Sequence, residues 1–270
     1  MPRDIRIVDS MTQPDDATGT TVITGSHGGI SSGRYAASLG VSGVVFNDAG
    51  IGRDDAGIES LPYLDDLGCP AAVVDSDTAR IADGVDMARN GEISRVNDVA
   101  AALGCEPGQN ALDCAATMHD GDVDPVTADA DTGLTEVQLD GGDVPIWAVD
   151  SIGLISDRHE GAITIAGSHG ERLAGEFETY VPTEIAGITL YDAGVGKDDA
   201  GIGRLATMND RGIPAAAVDV DAAHIGDAVS AWDEGVLSHV NDRAASLGVE
   251  PGDTPRDFAN AVRDALGAET

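Results

Sequence analysis

Short apolar runs bounded by Gly or Asp punctuate the first part of the chain at Ile5–Val8, Thr20–Thr24, Gly43–Asn47 and Ala71–Val74. Their length and flanks predict β-strands. Helical periodicity fills the intervals, roughly over 31–39, 54–67, 78–89 and 93–103. Uninterrupted apolar stretches such as Val44-Val45-Phe46 suit strands covered on both faces. Strands separated by helices imply a mainly parallel sheet with helices on both sides, a three-layer α/β unit.

That pattern occurs twice. Residues 43–58 read GVVFNDAGIGRDDAGI and residues 187–202 read GITLYDAGVGKDDAGI, identical at ten of sixteen positions. Val8-Asp9-Ser10 returns as Val149-Asp150-Ser151, Gly25-Ser26-His27-Gly28 as Gly167-Ser168-His169-Gly170, and Val96-Asn97-Asp98 as Val240-Asn241-Asp242. The chain therefore reads as a tandem duplication of an α/β unit, two lobes related by a pseudo-two-fold. One copy spans about 1–118 and the other 146–270, joined by an acidic connection over 119–145. From Thr135 the chain reads TEVQL-DGGD-VPIWAVD, the pattern of a β-hairpin running into the first strand of the second copy.

In parallel α/β sheets ligands bind beyond the carboxyl ends of the strands. Each predicted strand ends there in polar groups: Asp9-Ser10, Ser26-His27, Asp48 and Asp75, then Asp150-Ser151, Ser168-His169, Asp192 and Asp219. His27 and His169, each between Ser and Gly, are placed for proton transfer or metal ligation; the alternative is a loop-organising role. Asp48 and Asp192 precede Gly-x-Gly, where backbone can approach a ligand closely, at Gly50 and Gly194. Asp9, Asp150, Asp75 and Asp219 suit turn closure or helix capping as well as function. Asp54-Asp55 and Asp198-Asp199 precede apolar helical runs and read first as helix caps. The DAGxG loop has no Walker lysine, and no dinucleotide fingerprint or EF-hand spacing is present.

The copies diverge at two polar positions. Arg80 and Arg95 in the first stand where His224 and His239 stand in the second. One half is thus equipped to hold an anion by Arg, the other for acid–base or metal chemistry; solvated helix faces are the plain alternative. Ser26 and Ser168 are read as substrate contacts. Adjacent residues on a regular strand point to opposite faces, so His27 is not expected to activate Ser26. His119 and His159 lie outside the repeated motifs and are expected on the surface.

Charge shifts the picture less than its size suggests. The 48 acids outnumber 15 bases for a net charge of −33, and Lys197 is the only lysine. The excess is spread, at −11 over 1–118, −8 over 119–145 and −14 over 146–270. A chain this acidic will not coat nucleic acid or an anionic membrane. The even spread, with Asp preferred to Glu, is read as adaptation to a salty cytoplasm. No run approaches 18 apolar residues and the N-terminus carries no apolar signal region, so a cytoplasmic protein is expected. Cys69, Cys105 and Cys114 have no C-x-x-C spacing, and their counterparts Ile213, Val249 and Phe258 are apolar. They are read as core.

A strand ending in Ser26-His27-Gly28, followed by a second strand, resembles the histidine strand of caspase-like peptidases over a few residues per copy. Those enzymes need Cys at the next strand tip, where this chain has Asp48 and Asp192, so the activity is not carried over. The expectation is an enzyme acting on a small polar or anionic metabolite, hydrolase-like or otherwise acid–base assisted. His27, His169, Asp48 and Asp192 would be catalytic. Ser26, Ser168, Arg80, Arg95, Gly50 and Gly194 would bind substrate. Asp9, Asp150, His224 and His239 could hold a divalent metal. A non-catalytic two-lobe ligand-binding or metal-binding protein is the alternative, and a homo-oligomer is allowed.

Overall fold

The computed structural model describes residues 4–126, 128, 132–172 and 181–268. The first half contains β1 (Ile5–Val8), β2 (Thr21–His27), α1 (Ile30–Ser38), β3 (Gly43–Asn47), α2 (Ser60–Asp66) and β4 (Ala71–Val74). It continues with α3 (Gly84–Asn90), β5 (Ile93–Val96), α4 (Asp98–Leu103) and α5 (Ala111–Asp120). The second half contains β6 (Glu136–Asp140), β7 (Ile146–Val149), β8 (Ile163–His169), β9 (Gly187–Tyr191), α6 (Arg204–Asp210) and β10 (Ala215–Val218). It closes with α7 (Ala228–Glu234), β11 (Leu237–Val240), α8 (Asp242–Ser246) and α9 (Pro255–Ala268).

Two mixed, mostly parallel sheets result. The five-stranded sheet runs β1-β2-β3-β4-β5 and the six-stranded one β11-β10-β9-β8-β7-β6. Alternation explains why β3 can be apolar throughout. Val44 and Phe46 pack with Ala36, Leu61 and Leu64 of α1 and α2 on one face. Val45 packs with Met87, Ala115 and Met118 of α3 and α5 on the other. Each sheet is thus the middle of three layers. The hairpin of β6 and β7 forms as predicted, antiparallel, and β7 pairs in parallel with β8. Cys69, Cys105 and Cys114 are free and buried. Among the described residues, no helix is long and apolar enough to cross a membrane.

Three predicted helices need correction. Residues 78–83 are turns and irregular backbone, with Ala82 at φ 63°, and α3 begins only at Gly84. Residues 93–96 form the edge strand β5, antiparallel to β4, and helix begins only at Asp98. Asn97 makes the switch. Its Oδ1 accepts from Ala71 N on β4 and Ala100 N in α4, and Nδ2 donates to the Cys69 carbonyl. Asn241 repeats the pattern with Ala215, Ala244 and Ile213. Residues 54–67 are likewise not one helix. A 3₁₀ segment at Arg53–Ile58 precedes α2, and Asp54 and Asp55 inside it have left-handed φ of 52° and 61°.

Candidate functional site between the two sheets

The two DAGxG loops meet back to back. Ala49 to Gly52 all have positive φ (51°, 74°, 66°, 70°), as do Ala193 to Gly196 (48°, 71°, 64°, 66°). Ile51 and Val195 are β-branched, so this conformation costs each of order 1 kcal/mol or more. Tertiary contacts hold it in place. Arg53 N donates to the Val220 carbonyl and Lys197 N to the Ser76 carbonyl, both 2.9 Å, each bond joining one half to the other. A Cβ on Gly50 would stand 2.9 Å from Gly194 Cα, and one on Gly194 would stand 2.9 Å from Gly50 Cα. These glycines are packing requirements of the seam.

Asp48 and Asp192 anchor these loops. Each is 4% exposed. Asp48 Oδ1 accepts from Gly50 N and Ser76 N, and Oδ2 accepts from Ser94 Oγ at 2.8 Å. Asp192 repeats this with Gly194 N, Val220 N and Ser238 Oγ at 2.7 Å. Burial raises both pKa values, opposed by these hydrogen bonds. The pair, with Gly50, Gly194 and the exposed Arg95, lines a cavity of about 570 Å³ whose walls also carry Asp75, Asp77, Asp219 and Asp221. Asp75 and Asp219 close turns by accepting from Asp77 N and Asp221 N.

The histidines line a different, smaller cavity of about 110 Å³. A bulge brings them there. Ile23 to His27 on β2 runs alongside only Val45 to Asn47 on β3, and the same irregularity separates Ile165 from His169 on β8. The extra residues re-aim the strand end. Ser26 and His27 consequently both line the cavity, as do Ser168 and His169. Ser26 Oγ and His27 Nδ1 each take a different backbone amide, Met11 N and Gly29 N. The His27 and His169 rings stand edge to face with centroids 6.4 Å apart, so they share one site.

Hydrogen bonding sets their tautomer. His27 Nδ1 accepts from Gly29 N at 3.1 Å and His169 Nδ1 accepts from Glu171 N at 3.3 Å. The ring proton of each neutral imidazole is therefore on Nε2. Burial lowers the pKa of His27 to about 4 and, together with the neighbouring His27 and Arg204, that of His169 to about 3. At neutral pH both rings are uncharged N–H donors. Ser26 Oγ accepts from Met11 N and Ser168 Oγ from Ile152 N, which leaves both hydroxyl protons free to point at a ligand.

Other expected site residues are committed elsewhere. Asp9 Oδ1 accepts from Gly84 N at the start of α3. Asp150 Oδ1 accepts from Ala228 N at the start of α7, and its Oδ2 takes Thr135 N and Oγ1. Arg80 reaches across the seam to Glu171 at 2.8 Å and Asp198 at 3.7 Å. It lines neither cavity. His224 Nε2 pairs with Asp54 at 2.8 Å, so Asp54 is a cross-seam partner and not a helix cap. His239 meets Ser238 on β11. Among the described residues, no group of three or more His, Cys, Asp or Glu side chains converges to hold a metal ion, and Asp9, Asp150, His224 and His239 are not brought together. His159, expected on the surface, is buried edge-on against Trp147.

Sequence reasoning passed over Arg204 and Glu171. Arg204 lines the histidine cavity and Glu171 lies behind it, each 3% exposed. They occupy the repeat positions of Ser60 and Gly29. Two neighbouring sites that both diverge to charge, with opposite signs, were the available signal. No family model matches the chain, and no curated protein and no solved structure matches it.

Proposed function

We propose that the chain is an enzyme acting on a small polar metabolite in the single cavity shared by His27 and His169. The observation that carries this is the pair of neutral Nε2–H donors, His27 buried and His169 half-buried, beside two half-buried serine hydroxyls in one cavity. Donors fixed in a water-poor site stabilise negative charge developing on a carbonyl oxygen. The reaction class this suits is hydrolysis or another addition at a carbonyl, with the two imidazole Nε2–H groups donating hydrogen bonds to the developing oxyanion. Two further inferences accompany it. Residues 1–118 and 146–270 are copies of one unit related by a pseudo-two-fold, supported by the reciprocal bonds Arg53–Val220 and Lys197–Ser76. The evenly spread acidic excess is adaptation to a saline cytoplasm.

The test is hydrolysis at high salt of a panel of small esters and lactones, followed by proton release, and of amides, followed by ammonia release. Replacing His27 or His169 by Asn, with folding verified, should slow turnover by about a hundredfold or more. Undiminished turnover in both variants refutes the assignment. Ligand capture without chemistry is the second reading. It is favoured because Asp48 and Asp192 line the other cavity, and Asp150, on the histidine cavity, already accepts three hydrogen bonds. Binding without turnover of any panel member would select it.

A further inference from the structure

We propose that the histidine cavity takes a small monoanion, a monocarboxylate, with its charged end held by Arg204; this rests on the reading of that cavity as the ligand site. Arg204 opens α6 and is almost wholly buried. Its Nη2 donates to the Glu171 carbonyl oxygen at 2.6 Å, but its Nε has no hydrogen-bond partner among the described residues. The nearby Glu171 carboxylate pairs instead with Arg80 and Arg172. Among the described residues no carboxylate lies within ion-pair distance of Arg204, and the nearby Glu171 charge offsets only part of the cost of burying the guanidinium. The cavity it lines is where a counter-anion fits. Burial draws its pKa down only to about 10, so it stays charged at neutral pH.

The remaining lining limits the charge and size of the ligand. Both imidazoles are neutral donors, and Asp150 adds a negative charge to the wall. One cation facing one carboxylate, in a chain of net −33, favours a singly charged guest over phosphate or sulfate. A volume of about 110 Å³ corresponds to roughly seven to ten water-sized positions. A planar carboxylate also matches the guanidinium fork. The polarity is one-sided. The corresponding residue of the first half is Ser60, so the anionic end lies toward α6 and the far end meets Ser31, Ser32 and Tyr35 of α1.

Acetate and acetamide, nearly isosteric, separate charge from shape. Each is titrated at pH 7 and constant ionic strength while the imidazole nitrogens of His27 and His169 are followed by NMR. Acetate should shift both rings saturably at a concentration about tenfold or more below acetamide, the worth of one charge-assisted hydrogen bond. Arg204→Ser should bring acetate to the acetamide level while leaving the acetamide response intact. If that variant fails to fold, the double change Glu171→Gly with Arg204→Ser restores both first-half residues and takes its place. Equal response to the two probes in the wild type overturns the proposal and spares the site, as does phosphate outcompeting acetate or a preference that survives loss of Arg204. If neither probe moves either ring, the site reading itself fails.

Discussion

Acidification should unfold this protein through two imidazoles, His27 buried and His169 half-buried. His27 and His169 are uncharged in the folded state down to about pH 4 and about pH 3, whereas a histidine in the unfolded chain protonates near 6.5. Between these values the unfolded state binds more protons, so folding stability falls as pH falls. pH 5 lies about 1.5 units below the unfolded pKa, so keeping each ring neutral there costs about 2 kcal/mol at ~1.4 kcal/mol per unit. The pair then removes at most about 4 kcal/mol between pH 7 and pH 5, a large share of a typical stability of ~5–15 kcal/mol. Asp9, Asp48, Asp192 and Glu171 act in the opposite sense, because burial raises their pKa values and the folded state takes up their protons first. The histidine contribution is therefore read as a difference. Denaturant melts of wild type and of a His27→Asn, His169→Asn double variant are compared at pH 7, 6 and 5, at fixed ionic strength. Asn keeps an acceptor for the amide that Nδ1 receives. The wild type should lose up to about 4 kcal/mol more than the variant over this range. Parallel pH profiles, or imidazoles titrating near pH 6.5 in the folded protein, would refute the buried, neutral assignment.

Three substitutions probe the surroundings of the site. Gly50→Ala places a Cβ 2.9 Å from Gly194 Cα on a residue with φ +74°, and should cost about 2 kcal/mol or more in a urea melt; a change within about 0.5 kcal/mol would show that the loops part freely. Ser94→Ala and Ser238→Ala each remove a hydroxyl donor from a buried carboxylate and should destabilise by about 1.5–3 kcal/mol, with Asp48 or Asp192 protonating at higher pH by carboxylate NMR. Arg80→Ala leaves the buried Glu171 without its 2.8 Å partner across the seam and should cost about 1–3 kcal/mol, less than a fully buried pair because Arg80 is 34% exposed. Adding Glu171→Gln to that variant should recover part of the loss; no recovery would disconnect the two residues.

The strands of both sheets were legible wherever a core strand is apolar on both faces, as in Val44-Val45-Phe46, because only two-sided burial favours such a run. The edge strands β5 and β11 were not. Ile93–Val96 is four residues long, half-exposed and joined to a helix through Asn97 without a Gly or Pro, so periodicity merges the two. The polar clusters at strand ends were legible as a set but not in their partition. Nothing in a string of residues reveals that a bulge in β2 turns Ser26 and His27 into one cavity while Asp48 serves another. Nor could the expected caps Asp54 and Asp55 be told from residues forced into left-handed φ by the opposing loop. Arg204 and Glu171 differ from the aligned Ser60 and Gly29 as openly as Arg80 and Arg95 differ from His224 and His239, but a sequence does not show which of these differences reach a cavity wall.

The back-to-back loops also bear on how a ligand arrives. A clamshell opens by rotating one half away from the other about a few compliant residues. Here such a rotation would part Gly50 from Gly194 and break the main-chain bonds Arg53–Val220 and Lys197–Ser76 together. These contacts oppose such a rotation. Tyr35, Leu134 and Ile152 are among the residues on the cavity wall. Exchange would then be timed by rotamer motion at those positions, on the fast timescale of single side chains and not that of a hinge.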